Sequence, residues 1–362
     1  MLNKSLLYVI PFLMRRLYNI WAMKKLKICI VGCGRILPMH AVSVKVSNYA
    51  ELAAVCDVKE DRLKAAMQEY DCRGYLDYEE MFEKERPDAV HLCVPHYLHP
   101  IIAKAAILRG INVLSEKPMA INYKDGEECV RLAEEKGVKY GVIFQCRYND
   151  ASVLVKNALT SGKLGKILSA RSTLTWSRPD DYYLSSDWKG TWDKEGGGVI
   201  IDQAIHSMDL VNWFVSSEPI RVSASIANRG HKSFSVEDSA EGLIDYKNGV
   251  RYGFYCMNNY ACDEPIEIRL FCEKGKATLS YEEGTIRYND GTVEHVVQSA
   301  PTVEYKNGKD YWGFQHGKQI EQFYRAVLGL EELEISGKEA LKIQKLVCAV
   351  YESGKTGKAI EF

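Results

Sequence analysis

A regular alternation of short apolar runs and helix-like segments constrains the fold of this chain more than any other feature. It begins at KICIV, residues 27–31, and continues through ELAAVCD, DAVHLCV, NVLSE and KYGVIFQ, with a segment of helical periodicity after each of the first four runs. Repeated strand–helix units of this kind build a parallel sheet whose faces are covered by helices. We therefore predict that the first half of the chain is an α/β domain.

After Arg147 the pattern changes to short alternating strands separated by turn pairs such as Asn248-Gly249. An Asn-Gly pair between apolar runs favours a two-residue hairpin turn, so a mostly antiparallel sheet is expected here. Helices are predicted at 151–161, 199–214, 314–328 and 338–353. The 362 residues provide enough chain for two domains. We predict an α/β domain over 25–146 and an α+β domain with a large open sheet over 147–362, with closing helices able to pack back on the first domain.

Residues 1–24 precede this pattern and are assigned to neither domain. The apolar stretch at 6–14 ends at Arg15 and Arg16, well short of the about 20 residues that a membrane-spanning helix needs. Three interpretations remain: translation that starts at Met23, a peripheral amphipathic arm, or a secretory signal. The first is favoured because MKKLKICIVGCG opens directly on a strand, and because no small-residue cleavage site follows the apolar stretch.

Charge and cysteine usage exclude several classes of protein. Lys and Arg total 47 and Asp and Glu total 48, a net charge of −1 that does not predict nucleic-acid binding. The eleven cysteines are odd in number and form no C-x-x-C motif, so neither a disulfide framework nor a metal site is predicted, and a reducing cytoplasm is expected. Six lie in apolar, strand-like runs, where a thiol behaves as a small hydrophobe: Cys29, Cys56, Cys93, Cys146, Cys256 and Cys272.

A glycine-rich loop follows the first strand and precedes a helix. Gly32 permits a tight turn, Gly34 lets backbone approach a pyrophosphate, and the helix amino terminus attracts the anion. Leu37 stands where the fingerprint has its third glycine, so the helix is expected to pack off the sheet or to start differently. Asp57 ends the second strand, where a carboxylate accepts hydrogen bonds from an adenosine ribose and repels a 2′-phosphate. The loop predicts NAD rather than NADP; a nucleotide-free turn is the alternative.

Two further motifs carry chemistry. Lys117, in Glu116-Lys117-Pro118, follows the strand NVLS, and open α/β sheets bind ligands at the carboxyl ends of their strands. Asp202 and His206 are four residues apart on a predicted helix, hence neighbours on one face. An imidazole with a pKa of about 6.5 suits proton transfer near neutral pH. A solvated surface pair is the alternative for each motif taken alone.

Together these segments resemble the Gfo/Idh/MocA oxidoreductase family, named for glucose-fructose oxidoreductase, inositol dehydrogenase and a rhizopine catabolism protein. The resemblance extends from about Lys25 to the carboxyl terminus and is carried by GCGRI, AVCD, CVPHYLH, SEKPMA, FQCRYN, WKGTWDKEGGGVIIDQAIHSMDL and LVCAVYESGKTGKAI. It implies a Rossmann NAD-binding domain, then a substrate domain whose open sheet often mediates homodimers or homotetramers. No membrane or nucleic-acid partner is implied.

The resemblance also implies roles for individual residues. Lys117, Asp202 and His206 would be catalytic, with the histidine as general base. Cofactor contacts would come from Gly32, Cys33, Gly34, Arg35, Ile36, Asp57, Val94, Pro95, His96, His99, Glu116, Lys117, Gln145, Trp188 and Lys189. Substrate contacts would come from Lys117, Arg147, Tyr182, Asp202, His206 and His316, although a helix-capping role for His316 is equally open.

The function expected from this resemblance is hydride transfer between NAD and a secondary hydroxyl of a sugar, cyclitol or sugar derivative. Some relatives that act on nucleotide-linked acetamido sugars carry Asn where this chain has Asp202, so the aspartate favours polyol or sugar dehydrogenases. The alternatives are an NAD-dependent glycosidase of the same family, a non-catalytic NAD or sugar sensor, and a reductase of unsaturated or imine substrates.

Overall fold

The first half of the chain forms a six-stranded parallel sheet. The computed structural model describes residues 24–280, 283–300, 305 and 315–362. The strands are β1 (Leu26–Val31), β2 (Ala50–Cys56), β3 (Arg73–Tyr75), β4 (Ala89–Leu92), β5 (Asn112–Ser115) and β6 (Tyr140–Val142). They pair in the order β3-β2-β1-β4-β5-β6, every pair parallel. This is the dinucleotide-binding order, in which the ligand crevice lies outside the carboxyl ends of the strands. The predicted α/β fold is confirmed.

Five helices connect these strands. They are α1 (Leu37–Val46), α2 (Glu60–Tyr70), α3 (Tyr78–Glu85), α4 (His99–Leu108) and α5 (Tyr123–Lys136), and 3-10 turns lie at His96–Leu98 and Gln145–Tyr148. The alternation did not predict β3 or α3. β3 has only three residues, and α3 is a short, largely charged helix that buries Met81 and Phe82. Such brief elements carry too little periodicity to be recognised.

The second half forms a nine-stranded sheet flanked by helices. Its strands are β7 (Ile167–Thr175), β8 (Pro219–Ala227), β9 (Ser239–Tyr246), β10 (Arg251–Met257), β11 (Glu267–Cys272), β12 (Gly275–Ser280), β13 (Glu283–Tyr288), β14 (Val293–Val297) and β15 (Ile360–Glu361). The helices are α6 (Asp150–Thr160), α7 (Asp180–Leu184), α8 (Ile205–Val215), α9 (His316–Val327) and α10 (Gly337–Thr356). The nine strands pair in the order β14-β13-β12-β11-β7-β10-β9-β8-β15. Only the β7–β10 pair is parallel, so the predicted mostly antiparallel sheet is confirmed.

One face of this second sheet is buried and the other is open. Leu243 on β9 lies opposite Gly253 on β10, and Tyr255 follows two residues later on the same face. Phe271 on β11 shares that face through the register of β7. All three side chains are exposed, whereas Tyr252 and Phe254, which point the other way, are buried in the core.

The closing helices complete the core of the first sheet. Ile320, Phe323 and Tyr324 of α9 share one buried cluster with Ile28 and Leu37 of β1 and α1. The chain just before α10 also pairs with the edge strand β6, where the Val142 N–H donates to the Ile335 carbonyl at 3.3 Å. Residues of both closing segments therefore contact the first sheet.

The remaining expectations concern the cysteines and the amino terminus. All eleven cysteines are free thiols, and the six placed in apolar runs are buried, as predicted. No helix within 24–280, 283–300 or 315–362 is long and apolar enough to cross a bilayer. The three interpretations of the amino-terminal segment concern residues 1–23, which lie outside the described residues, as does the predicted helix start at 314.

Candidate active site

The glycine loop, residues 32–36, is shaped by a close approach of two strand ends. Gly32 has φ +102°, and a Cβ there would lie 2.2 Å from the Cys93 carbonyl oxygen, so only glycine fits. A Cβ on Gly34 would meet nothing within 4 Å. Helix α1 begins at Leu37 itself and has no side-chain cap. The residue that stands where the fingerprint has its third glycine is thus the first residue of the helix. The uncapped amino terminus and the open space at Gly34 fit an anionic group.

Asp57 has a structural role that the sequence did not predict. Its Oδ2 accepts a hydrogen bond from the Cys33 N–H at 2.8 Å, and its Oδ1 accepts one from the Lys59 N–H at 2.8 Å. The carboxylate therefore fastens the glycine loop to the end of β2, beside the space that an adenosine ribose would need. Burial, with Asp57 adding to it, raises the pKa of Cys33 to about 12, so its thiol stays protonated. Arg35 is exposed and Ile36 half-buried.

Two histidines fix the loop after β4. His99 places Nδ1 2.6 Å from the Pro118 carbonyl and Nε2 2.8 Å from the Val94 carbonyl, which ties this loop to the one after β5. His96 places Nδ1 2.8 Å from the Glu195 carbonyl. Burial, helped by a nearby lysine, holds the pKa of His96 well below its usual range. The neutral ring therefore carries its proton on Nδ1 and presents Nε2 as an acceptor.

The loop after β4 also meets the second half of the chain. The Trp188 ring lies 4.8 Å from the His96 ring, centroid to centroid. The predicted cofactor residues Val94 and Pro95 are half-buried on the same loop. The strand-end loop after β4 and the Trp188 segment are therefore in direct contact, and their contact with cofactor stays a prediction.

Lys117, Tyr182, Lys189 and Asp202 form a compact group that we call the lysine–aspartate cluster. Lys117 Nζ donates to the Asp202 backbone carbonyl at 2.6 Å and lies 3.5 Å from its Oδ1. Lys189 Nζ donates to Asp202 Oδ2 at 3.1 Å and to the Tyr182 hydroxyl at 2.8 Å. The Tyr182 hydroxyl in turn donates to Oδ2 at 2.6 Å. Lys189, predicted as a cofactor contact, is thus directed at Asp202.

The Asp202 carboxylate in this cluster faces two lysine ammonium groups. Burial would raise the pKa of Asp202, but the ammonium groups of Lys189 and Lys117 outweigh burial and hold that pKa well below its usual range. Burial would lower the pKa of Lys189, yet Asp202 and Tyr182 raise it overall. Two cations therefore share one ionised carboxylate. Only about a tenth of the side chains of Lys117 and Asp202 is exposed, 11% and 9%.

A π-helical turn at Ile200–Ala204 carries Asp202 into the site. The sequence predicted one regular helix over 199–214, but the Ile205 N–H bonds to the Ile200 carbonyl, five residues back, before α8 begins. Such turns occur frequently at functional sites because they redirect side chains. His206, in the first turn of α8, is buried with its ring edge-on to Phe144 at 6.3 Å. Asp202 and His206 therefore lie on opposite sides of a π-to-α junction in the chain.

The three glycines before this turn are required by packing. A Cβ on Gly197 would lie 2.0 Å from the Tyr351 hydroxyl, and one on Gly198 would lie 2.0 Å from the Glu237 carbonyl. The buried Glu237 carboxylate accepts from the N–H groups of Gly198 and Ile200 at 2.8 and 3.0 Å, and so caps the helix that carries Asp202. Burial raises the pKa of Glu237 to about 7, against the opposing effect of these N–H groups.

Glu195 is a second buried carboxyl that sequence analysis missed. It is completely buried, accepts from the Gly190 N–H at 2.5 Å, and places Oε1 3.6 Å from Lys189 Nζ. Burial, with the charge of Asp202, raises the pKa of Glu195 to about 8. The available signal was its position directly before the Gly196–Gly198 run in a predicted site segment. It was missed because a Glu beside a glycine run is easily taken for a surface residue.

Two predicted substrate residues have other partners. Arg147 forms a bidentate pair with Asp209 at 2.8 and 2.6 Å, a third contact with Glu339 at 3.4 Å, and a stacking contact with Trp213. Its guanidinium therefore pairs with two carboxylates in the core, and its predicted contact with substrate stays a prediction.

His316 is the first residue of α9, whose N-cap position is Gln315. Its Nε2 lies 3.2 Å from Glu116 Oε1, and the ring is buried. Contact of His316 with substrate stays a prediction. The same Glu116 oxygen also contacts His40, a residue that sequence analysis missed. The side-chain nitrogen and oxygen atoms of His40, Glu116 and His316 lie within 4.8 Å of one another, a separation at which they could hold a metal ion.

The residues fit the NAD that the fold implies. Besides the uncapped α1 and the open space at Gly34, Gln145 is buried at the end of the first sheet, and its Oε1 has no hydrogen-bond partner among the described residues. A buried amide oxygen of this kind requires a donor, and a carboxamide N–H supplies one. Gly32–Ile36, Asp57 and Gln145 would hold the cofactor.

Comparison with known proteins agrees with this arrangement. The family model described as "Oxidoreductase family, NAD-binding Rossmann fold" matches residues 26–144, and the GFO/IDH/MocA C-terminal domain model matches 153–278. D-glucoside 3-dehydrogenase of Escherichia coli (strain K12) is 26% identical over 363 residues, covering 93% of this chain and 97% of that protein. Myo-inositol 2-dehydrogenase of Thermotoga maritima is 26% identical over 283 residues, covering 72% and 79%.

A solved structure extends the comparison to three dimensions. The WlbA dehydrogenase from Bordetella pertussis, in complex with NADH and UDP-GlcNAcA, superposes with a TM-score of 0.81 at 28% identity, covering 94% of this chain and 99% of that one. The two family models together account for more than half of the sequence. This chain belongs to the Gfo/Idh/MocA oxidoreductase family.

Proposed function

We propose that this protein is an NAD-dependent dehydrogenase that oxidises a secondary hydroxyl of a sugar, cyclitol or sugar derivative to a ketone. The observation that carries the proposal is the contact between Lys117 and Asp202, which joins the carboxyl end of β5 to the π-turn of the second half. It supports a cation and a carboxylate at the carboxyl end of a parallel sheet, where such sheets bind ligands, with the general-base candidate His206 four residues after Asp202 in the chain. Named dehydrogenases among the relatives support the same reaction class.

Each residue of the site has a distinct task in this mechanism. Lys117 binds the carbinol oxygen and stabilises the negative charge that develops there as the O–H bond breaks. His206 accepts the hydroxyl proton. Asp202 holds both lysines, so that Lys117 stays directed at the reacting oxygen while its charge is partly compensated. Bound NAD, held by Gly32–Ile36, Asp57 and Gln145, would supply the acceptor for the carbinol hydrogen as hydride.

The test is a screen for NAD reduction with cyclitols, aldoses, uronates and nucleotide sugars, using wild type and His206→Asn. We expect one substrate class to give NADH with wild type and almost none with the variant, while both bind NADH equally. Released sugar without net NADH would instead identify the glycosidase, and thermal stabilisation without turnover would identify a sensor. NADH oxidation by unsaturated or imine compounds would identify the reductase. The comparisons favour none of these three.

We also propose that the open face of the second sheet forms a homodimer or homotetramer interface. Leu243, Tyr255 and Phe271 are 47%, 41% and 37% exposed on one face, and they alternate with charged residues such as Arg171 and Glu267. Clustered apolar groups with a charged surround are typical of protein interfaces. Light scattering should show an oligomer that Tyr255→Asp converts to a monomer; a monomeric wild type would contradict the proposal.

Three other assignments remain proposals. The domain boundary between residues 146 and 147 is supported by the change in sheet type, although α9 packs on the first sheet. The cytoplasm is proposed as the compartment because all eleven cysteines are free. NAD is proposed over NADP because of Asp57.

A further inference from the structure

Five buried side chains form a continuous chain of contacts behind the end of β5. Tyr324 Oη lies 3.1 Å from His91 Nε2, and His91 Nδ1 lies 3.0 Å from His40 Nδ1. His40 Nε2 then lies 3.0 Å from Glu116 Oε1, and His316 Nε2 lies 3.2 Å from the same oxygen. All five residues are at most 7% exposed. They come from β4, α1, α9 and the turn after β5, so the chain joins both halves of the sequence.

One pattern of protonation satisfies every contact. An ionised Glu116 accepts at Oε1, so His40 and His316 each carry a proton on Nε2. Neutral His40 then accepts at Nδ1 from the His91 Nδ1–H, and His91 accepts at Nε2 from the Tyr324 hydroxyl. The two histidines therefore donate to the same carboxylate oxygen.

The other oxygen of Glu116 leads to the lysine–aspartate cluster. Oε2 accepts from the Lys117 N–H at 3.2 Å, and the Lys117 side chain continues to Asp202. Burial would raise the pKa of Glu116, but its bonds with His316 and His40 hold that pKa well below the usual range. The titratable or charged groups that face Glu116 are His40, His91, Cys93, His99, Lys117 and His316.

We propose that His40 and His316 are positioning residues that keep the Glu116 carboxylate ionised and oriented, so that it holds the Lys117 backbone in place for catalysis. This inference rests on the proposed function for the role of Lys117, but not for the state of Glu116. In this role the histidines act through Glu116, whose Oε1 both of them contact. Because His316 begins α9, completion of the site depends on a helix that lies almost 200 residues further along the chain.

The decisive variants compare loss of the donor with its replacement. His316→Leu removes the N–H, whereas His316→Gln keeps an N–H near the position of Nε2. Without the donor, burial is less opposed and Glu116 takes up a proton at higher pH. Wild type already contributes protonated carboxyl bands in this range through Glu195 and Glu237. We expect infrared difference spectra between pH 5.5 and 8 to show an additional protonated carboxyl band in His316→Leu only, which disappears when Glu116→Gln is added to that variant. This measurement needs no substrate and therefore separates failure of the inference from failure of the proposed function.

Turnover supplies the second measurement. In His316→Leu, kcat should fall about tenfold from pH 8 to pH 6, because Glu116 takes up a proton over this range and a tenfold loss of the ionised form corresponds to about one pH unit. His316→Gln should keep the wild-type pH profile of kcat. His231→Leu is the matched control, because His231 is a buried histidine that contacts the carboxylate of Asp238 at 3.2 Å in the other half. Its pH profile should stay unchanged.

Three outcomes would overturn the proposal. One is a wild-type pH profile of kcat in His316→Leu together with no protonated carboxyl band beyond those of wild type. Another is the same new acid limb in the His231→Leu control. The third is one equivalent of a divalent metal in purified wild type that His316→Gln loses, because the His40, Glu116 and His316 ligand atoms lie within 4.8 Å of one another. Should His316→Leu fail to fold, His40→Leu with His40→Gln tests the same oxygen from α1.

Discussion

The glycine loop follows β1 and Lys117 of the lysine–aspartate cluster follows β5, two strands of one sheet with β4 between them, yet the two sites are built differently. The glycine loop is made of backbone: a tight turn at Gly32, open space at Gly34 and an uncapped helix. The cluster is made of side chains, with two buried cations around one carboxylate. Backbone requirements restrict residue identity to glycine, whereas a charge cluster depends on several residues at once. Substitutions should therefore act on binding at the first site and on turnover at the second.

The largest effect is expected in the lysine–aspartate cluster. Lys117→Met should lower kcat by about 10² to 10³, the usual cost of removing one donor to a developing oxyanion, with unchanged NADH affinity. Lys189→Met should cost about tenfold, because Lys189 is held by Tyr182 and acts through Asp202. Steady-state kinetics and NADH fluorescence titration measure both effects.

Lys163→Met provides the matched control, since Lys163 pairs with Glu294 on the surface. It should behave as wild type. Near-native kcat in Lys117→Met would remove Lys117 from the mechanism. An equal loss in the two cluster variants would mean that both lysines contact the substrate.

The two glycines provide a comparison within the loop. Gly32→Ala places a Cβ 2.2 Å from the Cys93 carbonyl at φ +102° and should lower the free energy of unfolding by about 3 kcal/mol. Gly34→Ala meets no atom within 4 Å and should leave stability within about 0.5 kcal/mol, while NADH binding weakens about tenfold. Urea unfolding and NADH titration separate the two. A stable, NADH-binding Gly32→Ala protein would contradict the packing argument.

The cluster should also respond to pH through Glu195. Its pKa is raised from 4.5 to about 8 in the folded protein, so between these values the folded state keeps a proton that the unfolded state releases. The free energy of unfolding should therefore fall as pH rises from 4.5 to 8, by about 5 kcal/mol, and level off above that. Glu195→Gln should remove this contribution in urea unfolding at pH 5, 6.5 and 8.5 and leave the smaller slope that the raised pKa of Glu237 produces.

Glu352→Gln, at an exposed position on α10, is the control for this titration. It should keep the wild-type slope. Equal slopes in wild type and Glu195→Gln would show that Glu195 ionises normally in the folded protein.

The difference between the two sites also explains what the sequence could reveal. The glycine loop was predictable, because Gly32, Gly34 and Asp57 occupy fixed offsets around a strand and a helix. The pair Asp202 and His206 was predicted from helical spacing, but the π-turn between them was not, since it depends on tertiary contacts such as those of Glu237 with Gly198 and Ile200.

Long-range side-chain partners were the least predictable part. Arg147 was expected at the substrate because it ends the last strand of the first sheet, but Asp209, 62 residues later, takes its guanidinium. His316 was expected at the substrate or at a helix cap, but Glu116, 200 residues earlier, is its partner. A single sequence contains no periodicity that links positions so far apart, so only the folded chain identifies these pairs.

The smallest effect is expected at Asp57, a charged side chain that also holds the backbone of the glycine loop. Asp57 holds the Cys33 and Lys59 N–H groups and also supplies the charge that would repel a 2′-phosphate. Asp57→Asn should raise kcat/KM for NADP relative to NAD about tenfold, which is about 1.4 kcal/mol. Asp57→Glu keeps the charge but displaces the loop contacts, so it should weaken both cofactors and still reject NADP. Asp61→Asn, on the exposed first turn of α2, should change nothing. If Asp57→Asn keeps its preference for NAD, the charge at Asp57 does not select the cofactor, and its contribution is the backbone support of the glycine loop alone.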